Sequence, residues 1–213
     1  MIRLQQLRVA DEPEIWGALG FAVDASCVTI GATRIVCGGP VLGKGIVDWA
    51  LRGVDASIDG LATNPAVATP SSPGDHLNGV VAIDHLVVST PDLERTVGAF
   101  EALGLDCRRR REGLAYGQNA MRQAFFWLGD ADGLIEQKVI LELVGPQVVD
   151  PARADDPARF FGLALTVRNL ESTTAFFGDL MKPPVEAVQA GRRISTISSR
   201  GGSSVAIALM SPH

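Results

Sequence analysis

The sequence predicts an α+β fold built from repeated βαβββ modules, and two observations lead to this prediction. The stretch IDHLVVSTPDLERTVGAFEALGL, residues 83–105, aligns without a gap with FFGLALTVRNLESTTAFFGDLMK, residues 160–182. Each of these stretches is followed by three short runs of strand-forming residues. A repeated strand and helix with three strands behind it indicates tandem copies of one supersecondary unit.

Two segments rich in helix and strand breakers divide the chain into three blocks of similar length. The first contains three prolines and two glycines, and the second contains prolines and a cluster of acids. We therefore predict a degenerate N-terminal module over 1–60, a linker over 61–79, a middle module over 80–146, a second linker over 147–157, and a last module over 158–213.

The N-terminal module is the weakest copy. LRVADEPEIWGALGF, residues 7–21, contains Asp11 and Glu14 at the spacing of a capping box, and Gly20 is the expected helix stop. The runs CVTIG, TRIVCG and IVDWALRG are its three predicted later strands.

The middle module carries the clearest helix signals. Thr90 is the predicted N-cap, Pro91 suits the first helical position, and Gly104 is the predicted end of the helix. Its later strands are predicted in DCRRRRE, RQAFFWLG and KVILELVG.

The last module repeats the pattern. Asn169 takes the capping position, and Leu170, Thr173, Phe177 and Leu180 form an apolar stripe at helical spacing. Its later strands are predicted in PVEAVQ, ISTISS and SVAIALM.

Composition narrows the possible partners and the location. With 19 basic and 24 acidic residues the net charge is −5, which argues against nucleic acid and anionic membranes as partners. The sequence shows neither a signal peptide nor an apolar run long enough to span a bilayer. Cys27, Cys37 and Cys107 have no C-x-x-C spacing, so we predict reduced core thiols and a cytoplasmic location.

The tandem module, with IDHLVV at its start and ILELVGP at its end, resembles the vicinal oxygen chelate (VOC) superfamily, which includes glyoxalases, extradiol dioxygenases and bleomycin-resistance proteins. The resemblance implies that two modules pair side by side and that their curled sheets enclose a cup. It also implies a divalent metal ion (Zn, Ni, Mn or Fe) with one ligand from the first strand and one from the fourth strand of a module. In the middle module these ligands would be His85 and Glu142.

Strand parity supports the same pair. His85 shares a strand face with Ile83 and Val87, and Glu142 shares one with Ile140 and Val144. An ionisable side chain that is alone on an apolar face is costly to bury without a partner, and one metal ion would serve both groups. The alternative is that His85, the only one of three histidines that looks embedded in structure, is a hydrogen-bonded core residue and that Glu142 faces solvent.

The other modules do not complete this ligand set. In the last module the alignment places Gly162 opposite His85, and it places Ala208 opposite Glu142. In the N-terminal module Gln6 falls opposite His85, so Gln6 is a further possible ligand, and about Ala50 falls opposite Glu142. Water and substrate oxygens, Gln6, or a second chain could fill the remaining positions; otherwise the metal has been lost.

Two other features belong to the middle module. Phe125 and Trp127 alternate on one strand face and could line the cup or pack in the core. In the run Arg108 to Arg111, one alternating pair could hold a carboxylate or phosphate in the cup, but a solvated edge strand is favoured.

Two functions fit these expectations. The first is a metal-dependent lyase or isomerase of the glyoxalase type, acting on a small substrate with vicinal oxygens, in which Glu142 could also move a proton. The second is a metal-free protein that binds a small molecule or an antibiotic. In either case the partner is a small molecule, and a homodimer is possible.

Overall fold

The structure, a computed structural model, describes residues 2–65, 74–116, 119–129 and 138–212. These residues contain three α-helices: α1 (Pro13–Ala18), α2 (Leu93–Glu101) and α3 (Leu170–Phe177). One sheet is formed by β1 (Arg3–Val9), β2 (Val23–Asp24), β3 (Cys27–Ile30), β4 (Thr33–Cys37), β5 (Ile46–Arg52) and β6 (Thr63–Asn64). The other is formed by β7 (Val80–Ser89), β8 (Arg109–Tyr116), β9 (Asn119–Leu128), β10 (Val139–Pro146), β11 (Arg159–Val167), β12 (Val185–Glu186), β13 (Arg193–Thr196) and β14 (Ala206–Met210).

The eight-stranded sheet consists of two βαβββ modules placed side by side, in the order β12-β13-β14-β11-β7-β10-β9-β8. The first strands of the two modules, β7 and β11, pair antiparallel at the centre. Within each module the first strand runs parallel to the fourth, β7 to β10 and β11 to β14. The predicted α+β class, with paired modules and a curled mixed sheet, is confirmed.

The six-stranded sheet departs from the predicted N-terminal module. In the order β2-β3-β4-β1-β5-β6, the strand parallel to β1 is β4, so β4 is the fourth strand of this module. The prediction that IVDWALRG is the fourth strand is wrong. That segment is β5, which crosses to the other side of β1 and pairs antiparallel with it. The module fits into fewer residues because β2 is only two residues long.

The two sheets share one hydrophobic core, which lies against the face of the eight-stranded sheet that also carries α2. Leu7 on β1, Trp49 on β5 and Leu86 on β7 are fully buried in it. The Trp49 ring stands edge-on against Phe100 and Phe160, with centroid distances of 6.1 and 5.1 Å. The apolar face of the N-terminal module is therefore covered by the other modules of the same chain, as a one-sided sheet requires.

The helix start in the middle module lies two residues later than predicted. Asp92 is the N-cap, since its carboxylate accepts hydrogen bonds from the backbone N–H groups of Glu94 and Arg95. The prediction of Thr90 as N-cap is therefore wrong; its hydroxyl instead accepts a hydrogen bond from the Asp92 N–H. A charged carboxylate at this position also interacts favourably with the positive end of the helix.

Of the other two helices, one is capped as predicted and the other is not. Asn169 caps α3 as predicted, accepting from the Ser172 N–H at 2.8 Å. The capping box of Asp11 in α1 does not form, because the Asp11 carboxylate instead accepts hydrogen bonds from the Trp16 indole at 3.1 Å and the Ser203 hydroxyl at 2.7 Å. Asp11 thereby ties the N-terminal module to the last one.

All three cysteines are free thiols; Cys37 is buried, while Cys27 and Cys107 are half-buried. Burial raises the pKa of the Cys37 thiol to about 12, so this thiol stays protonated. Within the described ranges, no helix has the length and apolar character required to cross a membrane.

His76 corrects the expectation that only His85 is embedded in structure. Although it lies in a segment predicted as a linker, the side chain is buried. Its Nδ1 accepts a hydrogen bond from the Ala22 N–H at 3.0 Å, and its Nε2 lies 3.1 Å from the Thr29 carbonyl. Since a carbonyl can only accept, Nε2 carries the proton and the bridge uses the neutral imidazole.

We predict that His76 makes folding sensitive to mild acid. Burial lowers the pKa of His76 below its ordinary value, so the unfolded chain takes up this proton at a higher pH than the folded protein. The free energy of unfolding should therefore fall as the pH drops below about 6.5 and level off below the lowered folded-state pKa. Urea unfolding of wild type and His76→Gln at about pH 7.5 and pH 5 measures this, with the smaller loss in the variant. Equal losses in both proteins would contradict it.

Candidate active site

A cavity of about 500 Å³ opens on the face of the eight-stranded sheet that points away from the shared core. We call this cavity the cup. Both modules of the sheet line it, and its wall is a mixture of charged and apolar side chains. The middle module contributes His85, Gln123, Phe125, Trp127 and Glu142, and the last module contributes Val188, Ile194 and Met210.

The structure brings the two predicted ligands together in the cup. His85 lies on β7 and Glu142 on the neighbouring parallel strand β10, where the Cα partner of His85 is Ile140. The two side chains therefore project from the same face of the sheet, since Glu142 is two residues beyond the partner of His85. His85 Nε2 lies 3.4 Å from Glu142 Oε2, with the side chains only 15% and 10% exposed.

A bulge in β7 places an acid behind the histidine. Between Ala164 and Leu165 of β11 the register shifts by one residue, so that Asp84 is the extra residue next to His85. Asp84 Oδ1 lies 2.9 Å from His85 Nδ1. The parity prediction that Ile83 shares a face with His85 is wrong, because the bulge turns Ile83 into the core. If β7 alternated strictly, the Asp84 carboxylate would point into that core. A carboxylate at a core position is the signal in the sequence that could have predicted the bulge.

Asp84 is held in turn by a residue from the last module. Its Oδ2 lies 2.6 Å from Arg192 Nη1, and both side chains are almost fully buried. The Thr166 hydroxyl donates to the same oxygen at 3.2 Å. Burial opposes ionisation of this carboxyl, but hydrogen bonds from His85 and Arg192 outweigh it and lower the pKa of Asp84 to about 2.

This network fixes the tautomer of His85. Because Asp84 is ionised near neutral pH, its carboxylate can only accept, and His85 Nδ1 must carry the proton. In the neutral imidazole, the lone pair of Nε2 then faces Glu142 and the cup. A carboxylate behind a histidine that keeps the distal nitrogen bare is the usual outer arrangement of histidine metal ligands.

Glu142 is fixed from its other side. Gln123 Nε2 donates a hydrogen bond to Glu142 Oε1, which leaves Oε2 towards His85. Burial raises the pKa of Glu142 above its ordinary value, although His85 and Arg111 oppose the shift. A carboxyl with a raised pKa in a cavity is suited to accept and release a proton near neutral pH.

The pair fits a divalent metal ion. A tetrahedral ion with bonds of about 2.1 Å separates its ligands by about 3.4 Å, which is the distance between His85 Nε2 and Glu142 Oε2. In the part of the chain that the structure describes, no three His, Cys, Asp or Glu residues are grouped to hold an ion. His85 and Glu142 would therefore supply two ligands and leave the other coordination positions open.

The register of the sheet is consistent with the predicted lack of side-chain ligands at two positions in the last module. His85 pairs with Ala164 and Val87 pairs with Gly162, so the local twofold relation between β7 and β11 makes Gly162 the counterpart of His85. The same reasoning on β14 makes Ala208 the counterpart of Glu142. A Cβ at Gly162 would lie 2.3 Å from the Ala206 carbonyl oxygen, so this position has no room for any side chain.

The structure does not bring Gln6 to the cup. Gln6 lies on β1 of the other sheet, flanked by Leu7, which packs into the shared core. Its side chain alternates to the opposite face, away from the core and from the eight-stranded sheet. Its counterpart on the fourth strand is Val36 on β4, not Ala50, because Gln6 pairs with Arg34 in the parallel register of that strand.

The arginine run lies partly in the cup. Arg109 and Arg111 are opposite Phe125 and Gln123 across β8 and β9, and all four line the cavity. The favoured prediction of a solvated edge fits Arg109, which is exposed on the edge strand β8, but it is wrong for Arg111, which is half-buried in the cup wall. Phe125 and Trp127 line the cup, which was one of the two alternatives for them. Arg110 points to the other face and pairs with Glu94 at 2.7 Å.

We predict that Arg192 is needed for stability, whereas its neighbour Arg193 is not. Arg192→Met would leave the buried Asp84 carboxylate without its charge partner, which should lower the free energy of unfolding by about 3–5 kcal/mol. Arg193 pairs with Glu171 at the surface, where the side chains are 44% and 70% exposed. Arg193→Met should therefore cost about 1 kcal/mol or less. Urea denaturation checks both, and equal losses would contradict the role given to Arg192.

Comparisons with known proteins found structures but no sequence relatives. No protein-family model matches the chain, and no curated protein matches it. Among solved structures, a methylmalonyl-CoA epimerase matches with a TM-score of 0.49 and 18% identity, covering 63% of this chain and 97% of that chain. The Mycobacterium tuberculosis methylmalonyl-CoA epimerase matches with a TM-score of 0.45 and 19% identity, covering 63% and 90%.

A Streptomyces coelicolor methylmalonyl-CoA epimerase variant, in complex with 2-nitronate-propionyl-CoA, matches with a TM-score of 0.47 and 20% identity, covering 62% of this chain and 97% of that chain. Because identity is low and the TM-scores are below 0.5, activity must be argued from the cup itself. The pairing of two βαβββ modules through their first strands, around one curled sheet, is the architecture of a glyoxalase-like fold.

Proposed function

We propose that the cup is the active site of a metal-dependent enzyme of the lyase or isomerase type, acting on a small substrate with two neighbouring oxygens. The observation that supports it most is the approach of His85 Nε2 to Glu142 Oε2 at 3.4 Å, with Nδ1 already engaged by Asp84. In this proposal His85 and Glu142 are the protein ligands. Water and the substrate oxygens take the other coordination positions, since Gly162 and Ala208 offer no side-chain ligand.

The chemistry divides between the ion and the chain. A divalent ion at this place would polarise the substrate oxygens and stabilise the negative charge that develops when a neighbouring C–H bond loses its proton. Glu142 is placed to carry that proton, because burial raises its pKa. Gln123 holds the far oxygen of Glu142, and Asp84 holds the far nitrogen of His85, so both reactive atoms are oriented before substrate binds.

The dimensions and wall of the cup suit a small molecule. Its volume of about 500 Å³ lies within the range of about 300–1,000 Å³ usual for ligand pockets. Phe125, Trp127 and Met210 form apolar parts of the wall, which would exclude water from the reacting end. The chain would work in the cytoplasm, where free thiols are maintained. The homodimer expected from the sequence stays a prediction, which light scattering on the purified protein can check.

A metal-free binding protein is the second candidate. The observation in its favour is the loss of both ligand positions in the last module, at Gly162 and Ala208. Under this reading His85 and Glu142 share one proton and act as hydrogen-bonding groups for a bound small molecule. The two candidates differ in whether the protein retains a metal ion.

We predict one divalent ion per chain after reconstitution with zinc, nickel, manganese or iron, measured by elemental analysis of the desalted protein. His85→Ala and Glu142→Ala should each weaken retention by more than the about 10–100-fold typical of outer-shell changes. Gln6→Ala is the control, and it should retain the ion because Gln6 lies on the other sheet. If wild type retains none of the four ions, the enzyme proposal fails and the binding protein takes its place.

The reaction class can be tested on the loaded protein. We expect exchange of the C–H proton next to a carbonyl with solvent deuterium, followed by NMR in a panel of small 2-oxo and 2-hydroxy acids. Glu142→Gln, measured at a metal concentration that loads the variant, should abolish the exchange, because its amide cannot accept the proton. Exchange that persists in Glu142→Gln would remove Glu142 from the role of proton carrier.

A further inference from the structure

Two buried atoms in the wall of the cup have no hydrogen-bond partner among the described residues. Arg111 Nη1 is a donor, and Gln123 Oε1 is an acceptor. The two residues are directly opposite each other on β8 and β9, and both line the cup. A buried polar atom without a partner is destabilising, so a donor and an acceptor side by side in a cavity wall indicate a ligand that satisfies both.

The charges around the cup specify the sign of that ligand. Within the described ranges, neither Arg109 nor Arg111 forms an ion pair, and both face the cup. The neighbouring Arg110 is neutralised by Glu94 on the other face of β8. The Asp84 carboxylate near the cup is neutralised by Arg192. Two acids also line the cup, Glu142, which is held by Gln123 and His85, and Glu186. Arg109 and Arg111 lie outside ion-pair distance of both, so this side of the cup favours an anion.

The position of this anion site relative to His85 and Glu142 follows from the strand order. Arg109 pairs with Phe125, and Phe125 pairs with Glu142, so Arg109 and Glu142 are two strands apart in one row. Two strand spacings are about 10 Å, and arginine side chains shorten this gap from one side. An anionic group held by Arg109 and Arg111 would therefore place the rest of a small molecule against Glu142 and His85.

We propose that the cup takes a small hydroxy acid, whose carboxylate is bound by Arg111 and Arg109 and whose hydroxyl donates to Gln123 Oε1. A carboxylate accepts from the guanidinium in a bidentate manner, and a hydroxyl on the adjacent carbon can reach the side chain on the next strand. This inference rests on the proposed function for the site. The carboxylate and hydroxyl held here are separate from the two neighbouring oxygens assigned to the ion, which belong to the reacting end of the molecule. The binding of the anion itself requires no metal.

Mandelate is a suitable probe, because its ring can lie against Phe125 and Trp127. Trp127 lines the cup, while Trp16 and Trp49 are fully buried in the core. Quenching of tryptophan fluorescence in chelator-treated protein therefore reports binding at the cup. Mandelamide, which lacks the charge, and phenylacetate, which lacks the hydroxyl, are the matched ligands. Wild type should bind mandelate more tightly than either of them.

The variants test each contact. Arg111→Gln should weaken mandelate binding by about 10-fold or more, as expected for loss of a hydrogen bond to a charged group. Arg110→Gln is the matched control on the opposite face of the same strand and should leave the affinity unchanged. Gln123→Leu should remove the preference for mandelate over phenylacetate. Arg111→Gln should not lower the melting temperature, because the guanidinium has no ion partner to lose, and this separates a ligand-binding role from a structural one.

The outcomes distinguish this inference from the proposed function. One outcome is a protein that retains no metal but binds mandelate in a manner that depends on Arg111. This outcome would support the anion site and refute only the enzyme proposal. Conversely, a metal-binding protein with no saturable response to mandelate would overturn the anion site alone. Equal mandelate affinity in wild type and Arg111→Gln would overturn it as well.

Discussion

The buried contact between Asp84 and Arg192 holds the two halves of the cup together. One charge comes from the first strand of the middle module and the other from the last module, and both are almost fully shielded from solvent. Since an unpaired buried charge is costly, each side chain fixes the position of the other. The second oxygen of Asp84 holds His85 Nδ1, so an arginine of one module sets the orientation of the cup histidine in the other.

The two paired modules have taken different roles within one architecture. The middle module retains both ionisable positions, while the last module has lost them and has closed one of them sterically, since Gly162 lies against the Ala206 backbone. In exchange the last module supplies Arg192 and an apolar part of the wall. In the proposed function, a cup with its ionisable pair on one side and an apolar wall on the other would bind a substrate in one orientation.

Much of this could be predicted from the sequence where the pattern is local or repeated. The gap-free repeat predicted the pairing of the middle and last modules, and strand position brought His85 and Glu142 together. The predictions that were wrong concern contacts between strands that are distant in the sequence. The bulge at Asp84 is fixed by the register of β7 against β11, and the placement of β5 is decided by which edge of β1 is free. Gln6 lies away from the cup because its module packs on the opposite face of the eight-stranded sheet. The division into modules and linkers remains a proposal about domains.

The central claim is that Asp84 holds Nδ1 of His85 and leaves Nε2 bare beside Glu142. Nitrogen-15 NMR of the histidine side chains measures this directly, with the His85 signals assigned by their loss in His85→Gln. Before metal is added, we predict a protonated Nδ1 and an unprotonated Nε2. Addition of zinc should shift the Nε2 resonance and preserve the Nδ1 proton. A proton on Nε2 in the metal-free protein would contradict the account. So would a zinc-induced shift of the Nδ1 resonance in place of the Nε2 resonance, or no shift of either resonance.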